Sequence, residues 1–346
     1  MKKVAIGCLG AGQVVREQHF PVLAAMPGAS LAWVADVDMS SARLLARAFK
    51  CLPVEPREID GHLHGIDVLL IAVPYGVRLQ YYERLRKVSA DVSLFVEKPV
   101  ARTVAEHISI CGLRPPHRIA CGYSRRVLPV VEAVKQMIGE GFWGRLNECS
   151  FGIGAVGGYS VGDKYYADPV MAGGGLMMEI GVHCIDAVLF CTGGTPAGDI
   201  TGQMILDNGI DIHTKAETQL RLADGTNVPF AFEVTLLEET EGRIELVFDR
   251  HVLSFSLFDD SGILVRKIGG KSGYTVAVAL PRLTGYQMLG RFWMRYFEAL
   301  ETGVVNETCS VTSLGVTQMV QAAYELVGCR VVPLAENSMV SECQVV

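Results

Sequence analysis

Apolar runs short enough to be strands alternate with helix-period segments through the first third of the chain, and few folds accommodate that rhythm. Val4–Leu9 reads as a strand that turns at Gly10-Ala11-Gly12 into a helical pattern reaching about residue 25. Residues 31–35, 67–73, 92–96 and 118–123 read as further strands, with helical stretches at 40–49, 77–88 and 103–111 between them. Ser40 or Ser41 is the expected N-cap of the second helix, and Thr103 of the fourth. Strands joined through helices imply a parallel, doubly wound α/β sheet.

Beyond residue 123 the rhythm changes. Residues 127–138 read as a helix, 146–153 as a strand, 157–175 as a glycine-rich aromatic stretch with Tyr159, Tyr165 and Tyr166, and 175–191 as a helix. From about residue 200 to 278, short strand patterns alternate with turns such as Asp207-Asn208-Gly209 and Asp224-Gly225, which describes an open, mostly antiparallel sheet. Helices near 287–301 and 311–327 are expected to close the chain. The 346 residues suffice for two domains, and the change of rhythm puts the division near residue 122, giving 1–122 and 123–346.

Half of the residues are hydrophobic, which supplies a large core and argues against disorder. The net charge is -6 and Lys and Arg are scattered without a basic stripe, which argues against nucleic acid as the main partner. The ten cysteines are irregularly spaced, without a Cys-x-x-Cys pair, and several sit in apolar runs; they read as reduced thiols of a cytoplasmic protein. The first strand is too short for a signal h-region, and no apolar run reaches the length of a membrane span.

Gly10-Ala11-Gly12 stands between a strand and a helix, the setting a dinucleotide site requires. The first glycine permits the tight turn. The second lets backbone approach a pyrophosphate seated on the helix N-terminus, where Gln13 and Val14 stand. The third glycine position is Val15, which alters helix–strand packing rather than removing binding. Asp36 ends the second strand, where a carboxylate accepts from the adenosine ribose hydroxyls and repels a 2′-phosphate, so NAD is favoured over NADP. Asp38 competes for that role, Arg43 could meet a phosphate, and Asp36 could instead be a solvated strand end or a helix cap. Val73, Pro74, Glu97 and Lys98 stand at later strand ends, where open α/β sheets hold their ligands.

Lys98 combines that position with a following proline that restricts its backbone. An ammonium beside a nicotinamide can polarise a substrate hydroxyl or carbonyl; the competing reading is an ordinary exposed lysine. Glu179, His183 and Asp186 fall at i, i+4 and i+7, one face of a helix whose neighbours Leu176, Met177, Met178, Ile180, Val182 and Ile185 are apolar. Polar groups on a buried helix need partners. An imidazole there can take the hydroxyl proton as hydride leaves, and Glu179 can orient it. An ordinary ion pair is the alternative. Zinc is a rival use of the same groups, but no second His lies close, and no metal is expected.

In order along the chain, Gly10-Ala11-Gly12, His19-Phe20-Pro21, Pro74, Glu97-Lys98-Pro99, Gly122-Tyr123-Ser124-Arg125-Arg126, Gly173-Gly174-Gly175 and Glu179 through His183 to Asp186 resemble the Gfo/Idh/MocA family of NAD(P)-dependent oxidoreductases. The resemblance implies a Rossmann domain followed by an α/β domain that binds substrate and whose open sheet forms a dimer or tetramer interface. It implies that Lys98 and His183 are the catalytic pair and that Tyr123, Arg126 and Asp186 line the substrate pocket, to which the aromatic stretch with Tyr166 is expected to contribute. Two departures stand out. Glu179 replaces the family's usual aspartate, and Tyr75-Gly76-Val77-Arg78 replaces a segment that often carries a histidine. Arg78 could add a positive group near the cofactor or simply face solvent, and the second is the expectation.

These features point to an NAD-dependent dehydrogenase or ketoreductase acting on a sugar, inositol or related polyol. The alternatives are a regulator that binds the dinucleotide without turnover and a glycosidase that recycles bound NAD.

Overall fold

The computed structural model describes residues 3–88, 91–156, 169–259, 261–268, 275–326, 330–335 and 338–344. Strands β1 (Val4–Leu9), β2 (Ala29–Ala35), β3 (Leu52–Val54), β4 (Val68–Ile71), β5 (Ser93–Val96) and β6 (Ile119–Cys121) form one sheet in the order β3-β2-β1-β4-β5-β6. Every neighbouring pair is parallel. The winding reverses at β1, which pairs with β2 on one side and β4 on the other, so the switch point of the sheet falls beside the Gly10-Ala11-Gly12 turn. β4 and β5 are buried along their whole length, the reason they read as unbroken apolar runs. The three-residue β3 contains a proline and gives no strand signal in the sequence.

Helices α1 (Phe20–Ala25), α2 (Met39–Phe49), α3 (Tyr75–Lys87) and α4 (Val104–Cys111) belong with this sheet. The cap of α2 is neither Ser40 nor Ser41 but Asp38, whose carboxylate accepts the Ser40 N–H at 3.0 Å. The helix begins at Met39, which puts both serines in its first turn, where their hydroxyls also donate to Asp38. Thr103 caps α4 as expected, in a reciprocal box with Glu106.

The second sheet contains β7 (Leu146–Gly154), β8 (Thr195–Asp207), β9 (Ile210–Arg221), β10 (Asn227–Thr235), β11 (Arg243–Phe248), β12 (His251–Phe255), β13 (Ile263–Lys267), β14 (Thr275–Val278), β15 (Arg330–Ala335) and β16 (Ser338–Gln344). Its order is β14-β13-β12-β11-β7-β10-β9-β8-β16-β15, with β7 and β10 the parallel pair in a mostly antiparallel array. Helices α5 (Pro129–Gly139) and α6 (Val182–Thr192) accompany it. The chain does not close on two helices: after α7 (Gly285–Thr302) and α8 (Leu314–Glu325), β15 and β16 return as a hairpin, and β16 pairs with β8.

Two compact units result, residues 1–124 with 283–314, and 125–282 with 315–346. A single division near residue 122 leaves out the return of 283–314 to the first unit. Aromatic burial explains the return. Trp293 of α7 stacks on Phe95 of β5 at 4.1 Å, and the Tyr296 hydroxyl lies 2.9 Å from the carbonyls of Leu94 and Arg118.

Candidate functional site

In the first unit, Gly10 has φ +106, and a Cβ there would stand 2.6 Å from the Ala72 carbonyl oxygen, so a side chain is excluded. A Cβ on Gly12 would meet nothing within 4 Å; the space beside the turn is open, as an approaching pyrophosphate requires. Gln13 is exposed and Val14 half-buried at the helix start, which passes through a π turn, Val15–His19, into α1. Asp36 reaches back to the turn. Its Oδ2 accepts the Ala11 N–H at 2.7 Å and its Oδ1 the Asp38 N–H at 2.8 Å. A carboxylate has about four acceptor positions, so two such bonds leave capacity for ribose hydroxyls. Asp38 is committed to capping, and donation from the Ser40 and Ser41 hydroxyls holds its carboxyl down at about 2. Arg43 is exposed on α2.

Beyond β5 come Glu97 and Lys98, both half-buried, and the buried Pro99, joined to Lys98 by a cis bond. Glu97 is fixed from two directions. Its Oε1 is 2.7 Å from His19 Nε2, and its Oε2 accepts the Lys98 N–H at 3.2 Å. Trp293 Nε1 can only donate, and it lies 3.1 Å from His19 Nδ1. Nδ1 therefore accepts, and the ring proton sits on Nε2, from which His19 donates to Glu97. Burial pushes the Glu97 carboxyl up, but the His19 hydrogen bond and the Lys98 and Arg78 charges outweigh it and leave the group below its ordinary value. Gly122 makes room: a Cβ there would lie 2.9 Å from Glu97 Oε1.

Arg78 overturns the expectation of a solvent-facing side chain. It is 6% exposed. Its Nε donates to the Val73 carbonyl at 2.8 Å, and its Nη1 to the carbonyls of Glu97 and Pro99, both at 2.6 Å. An arginine is buried when its donors are matched, and three carbonyls at the ends of two strands match this one.

In the second unit, Gly173-Gly174-Gly175 leads into a π turn, Met177–Gly181, and then α6. The start of this helix is held from β9. Asp211 accepts the Gly175 N–H at 2.5 Å on Oδ1 and the Met177 N–H at 2.6 Å on Oδ2, and the Tyr324 hydroxyl also donates to it. A Cβ on Gly174 would lie 2.0 Å from the Tyr324 hydroxyl, and one on Gly175 2.3 Å from the Asp211 carbonyl oxygen, so this contact demands glycine. Burial pushes the Asp211 carboxyl up, and its donors pull it back only in part.

The π turn contains Glu179 and widens the helix just before His183, so the regular i, i+4, i+7 alignment is not kept through Glu179. Glu179 is half-buried and His183 9% exposed. Asp186 is paired elsewhere. Arg126 Nε lies 2.9 and 3.0 Å from its two oxygens and Nη2 2.5 Å from Oδ1, with both side chains almost fully enclosed. Burial pushes the Asp186 carboxyl up against the pull of Arg126. Tyr123 is buried in the first unit. Tyr166, with Tyr159 and Tyr165, lies outside the described residues. Lys98 belongs to the first unit and His183 to the second.

Among the described residues, the cysteines Cys8, Cys51, Cys111, Cys121, Cys149, Cys184, Cys191 and Cys309 are free thiols, and no group of three His, Cys, Asp or Glu is placed to hold a metal ion. No helix among them is long and apolar enough to cross a membrane. Sequence reasoning missed Asp211 and Trp293, and named Arg78 without its three carbonyl partners. Asp211 has no local signal, since it acts 34 and 36 positions from the groups it binds.

Residues 4–114 match the model of an oxidoreductase family with an NAD-binding Rossmann fold, and residues 131–254 match the GFO/IDH/MocA C-terminal domain. None of the curated proteins matches the chain in sequence. Solved structures share the fold. An aldose-aldose oxidoreductase from Caulobacter crescentus, complexed with glycerol, has a TM-score of 0.76 at 15% identity, over 94% of this chain and 97% of that one. A levoglucosan dehydrogenase in complex with NADH has a TM-score of 0.75 at 17% identity, over 94% and 96%. A super-repressor mutant of Gal80p from Saccharomyces cerevisiae has a TM-score of 0.75 at 15% identity, over 93% and 95%. With both halves matched in order, a Rossmann sheet wound as 3-2-1-4-5-6 and a mostly antiparallel second sheet, the chain belongs to the Gfo/Idh/MocA family of NAD(P)-binding oxidoreductases.

Proposed function

We propose that the protein is an NAD-dependent dehydrogenase or ketoreductase that transfers hydride between the nicotinamide and a CH–OH carbon of a sugar, inositol or related polyol. The observation that carries this reading is the Lys98 loop at the carboxyl end of β5, in the same parallel sheet as the open glycine turn at the end of β1. Gly10, Gly12, Gln13, Val14, Asp36, Val73, Pro74 and Glu97 hold the dinucleotide, with Asp36 selecting NAD over NADP by charge. NAD, when bound, supplies the hydride acceptor or donor. In oxidation His183 takes the hydroxyl proton, Lys98 stabilises negative charge on the oxygen, and Glu179 orients the imidazole. In reduction the proton returns along the same route. Tyr123, Arg126, Tyr166 and Asp186 shape the substrate pocket, the Arg126–Asp186 pair by keeping Arg126 in one orientation.

In this reading the first unit, residues 1–124 with 283–314, binds the cofactor and the second binds substrate. The second sheet assembles a cytoplasmic dimer or tetramer. The related solved structures named for an aldose-aldose oxidoreductase and a levoglucosan dehydrogenase support the carbohydrate class.

A non-catalytic regulator is the second reading, favoured by the likeness to Gal80p. The test offers a panel of polyols and ketosugars while absorbance of the reduced nicotinamide is followed. A change with at least one carbohydrate is expected. Tight NAD binding with silence across the panel would favour the regulator.

A further inference from the structure

We propose that Arg78 is a positioning residue that sets the direction of Lys98 by gripping the peptide carbonyls on either side of it. The proposal deepens the reading above and rests on the role given there to Lys98. The ladder between β4 and β5 ends where the Glu97 N–H donates to the Ile71 carbonyl at 3.0 Å. Past that point Arg78 ties the two strand ends together.

Its Nη1 holds Glu97 O and Pro99 O, one residue before and one after Lys98, while Nε holds Val73 O in the segment after β4. One planar group thereby ties both segments together at distances of 2.6 to 2.8 Å. The guanidinium donors diverge at fixed angles, so the three carbonyls cannot shift independently. With the carbonyls at 97 and 99 fixed, the Cα–Cβ direction of Lys98 is fixed as well. A lysine at position 78 has one ammonium on a flexible stem and cannot reproduce the fork. Arg78 touches backbone alone in these bonds, so it acts through Lys98 rather than on a substrate.

The test uses the full chain with Arg78→Lys and Arg78→Gln. An amine-acylating reagent probes each lysine by peptide mass spectrometry across a pH series. The Lys98 labelling rate should change by about fivefold or more, the scale of one lost net hydrogen bond, and its pH profile should move. Exposed Lys215 should label as before. On a carbohydrate that the wild-type protein turns over, kcat should fall by more than KM for that carbohydrate changes. An unaltered Lys98 rate and profile in folded Arg78→Lys overturns the proposal.

Should neither variant unfold cooperatively, exchange of the Arg78 Nε–H in the wild-type chain, followed by NMR, decides. That hydrogen should exchange far more slowly than the Nε–H of the exposed Arg43, and equally fast exchange overturns the grip. Shifted labelling alongside full turnover in Lys98→Ala would uphold the positioning and remove Lys98 from catalysis.

Discussion

His19 donates from Nε2 to Glu97 Oε1 at 2.7 Å across 78 positions of sequence, fastening the helix after the glycine turn to the strand end that precedes Lys98. The Glu97 carboxyl is held below its ordinary 4.5, so its contribution to stability is complete above that value and is lost as the pH falls through the lower folded-state value. Glu97→Gln should lower stability at neutral pH by about 1–3 kcal/mol, and the gap should narrow below about pH 4. Urea unfolding of both proteins at the two pH values checks this; a gap independent of pH contradicts it.

His107 is fully buried in the first unit, with Nε2 donating towards the Ser310 carbonyl at 3.1 Å. Burial pushes the imidazole down to about 4, and the Ser310 carbonyl restores only part of the loss. For a base with a depressed folded-state value, the unfolded chain takes up the proton first as pH falls. Stability is therefore unaffected above about 6.5 and declines from there to about pH 4, by about 3 kcal/mol in all. His107→Gln keeps a donor without the titration, and its stability–pH curve should be shallower by one proton over that window.

Asp211 uses both carboxylate oxygens on the N–H groups of Gly175 and Met177. Asp211→Asn keeps the shape but turns an NH₂ toward one of those donors. The expected cost is about 1–3 kcal/mol by denaturant unfolding. Because the bond holds the start of the helix that carries Glu179 and His183, kcat should fall too. An unchanged unfolding midpoint would contradict the anchoring role.

Asp36→Asn retains an acceptor for one of the Ala11 and Asp38 N–H groups while removing the charge that opposes a 2′-phosphate. The ratio of NADPH to NADH affinity should rise by about tenfold, the scale of one near-surface charge contact. Fluorescence titration with both dinucleotides reads the ratio; no movement would remove Asp36 from cofactor selection.

What was legible in the sequence was what local physics determines. Apolar runs at β1, β4 and β5, the glycine turn, Asp36 at the end of β2 and the apolar surroundings of His183 all follow from neighbours within a few positions. What escaped depends on distant partners. Arg78 looks solvated because the carbonyls of Val73, Glu97 and Pro99 converge only once β4 and β5 are side by side. His19 stands out in the sequence, but the Trp293 that fixes its tautomer lies 274 positions away. The Asp38 cap escaped because two serines offered the same chemistry two and three residues later. The π turn before His183 escaped because periodicity assumes a uniform helix.

The proposed function gives His183 the substrate hydroxyl proton and Lys98 the negative charge on its oxygen. The most direct measurement is steady-state turnover of Lys98→Ala and His183→Ala on a carbohydrate that the wild-type protein oxidises or reduces, with NADH binding measured in the same samples. Each substitution should lower kcat by about 10²- to 10⁴-fold while NADH still binds. Full turnover in both variants would contradict it.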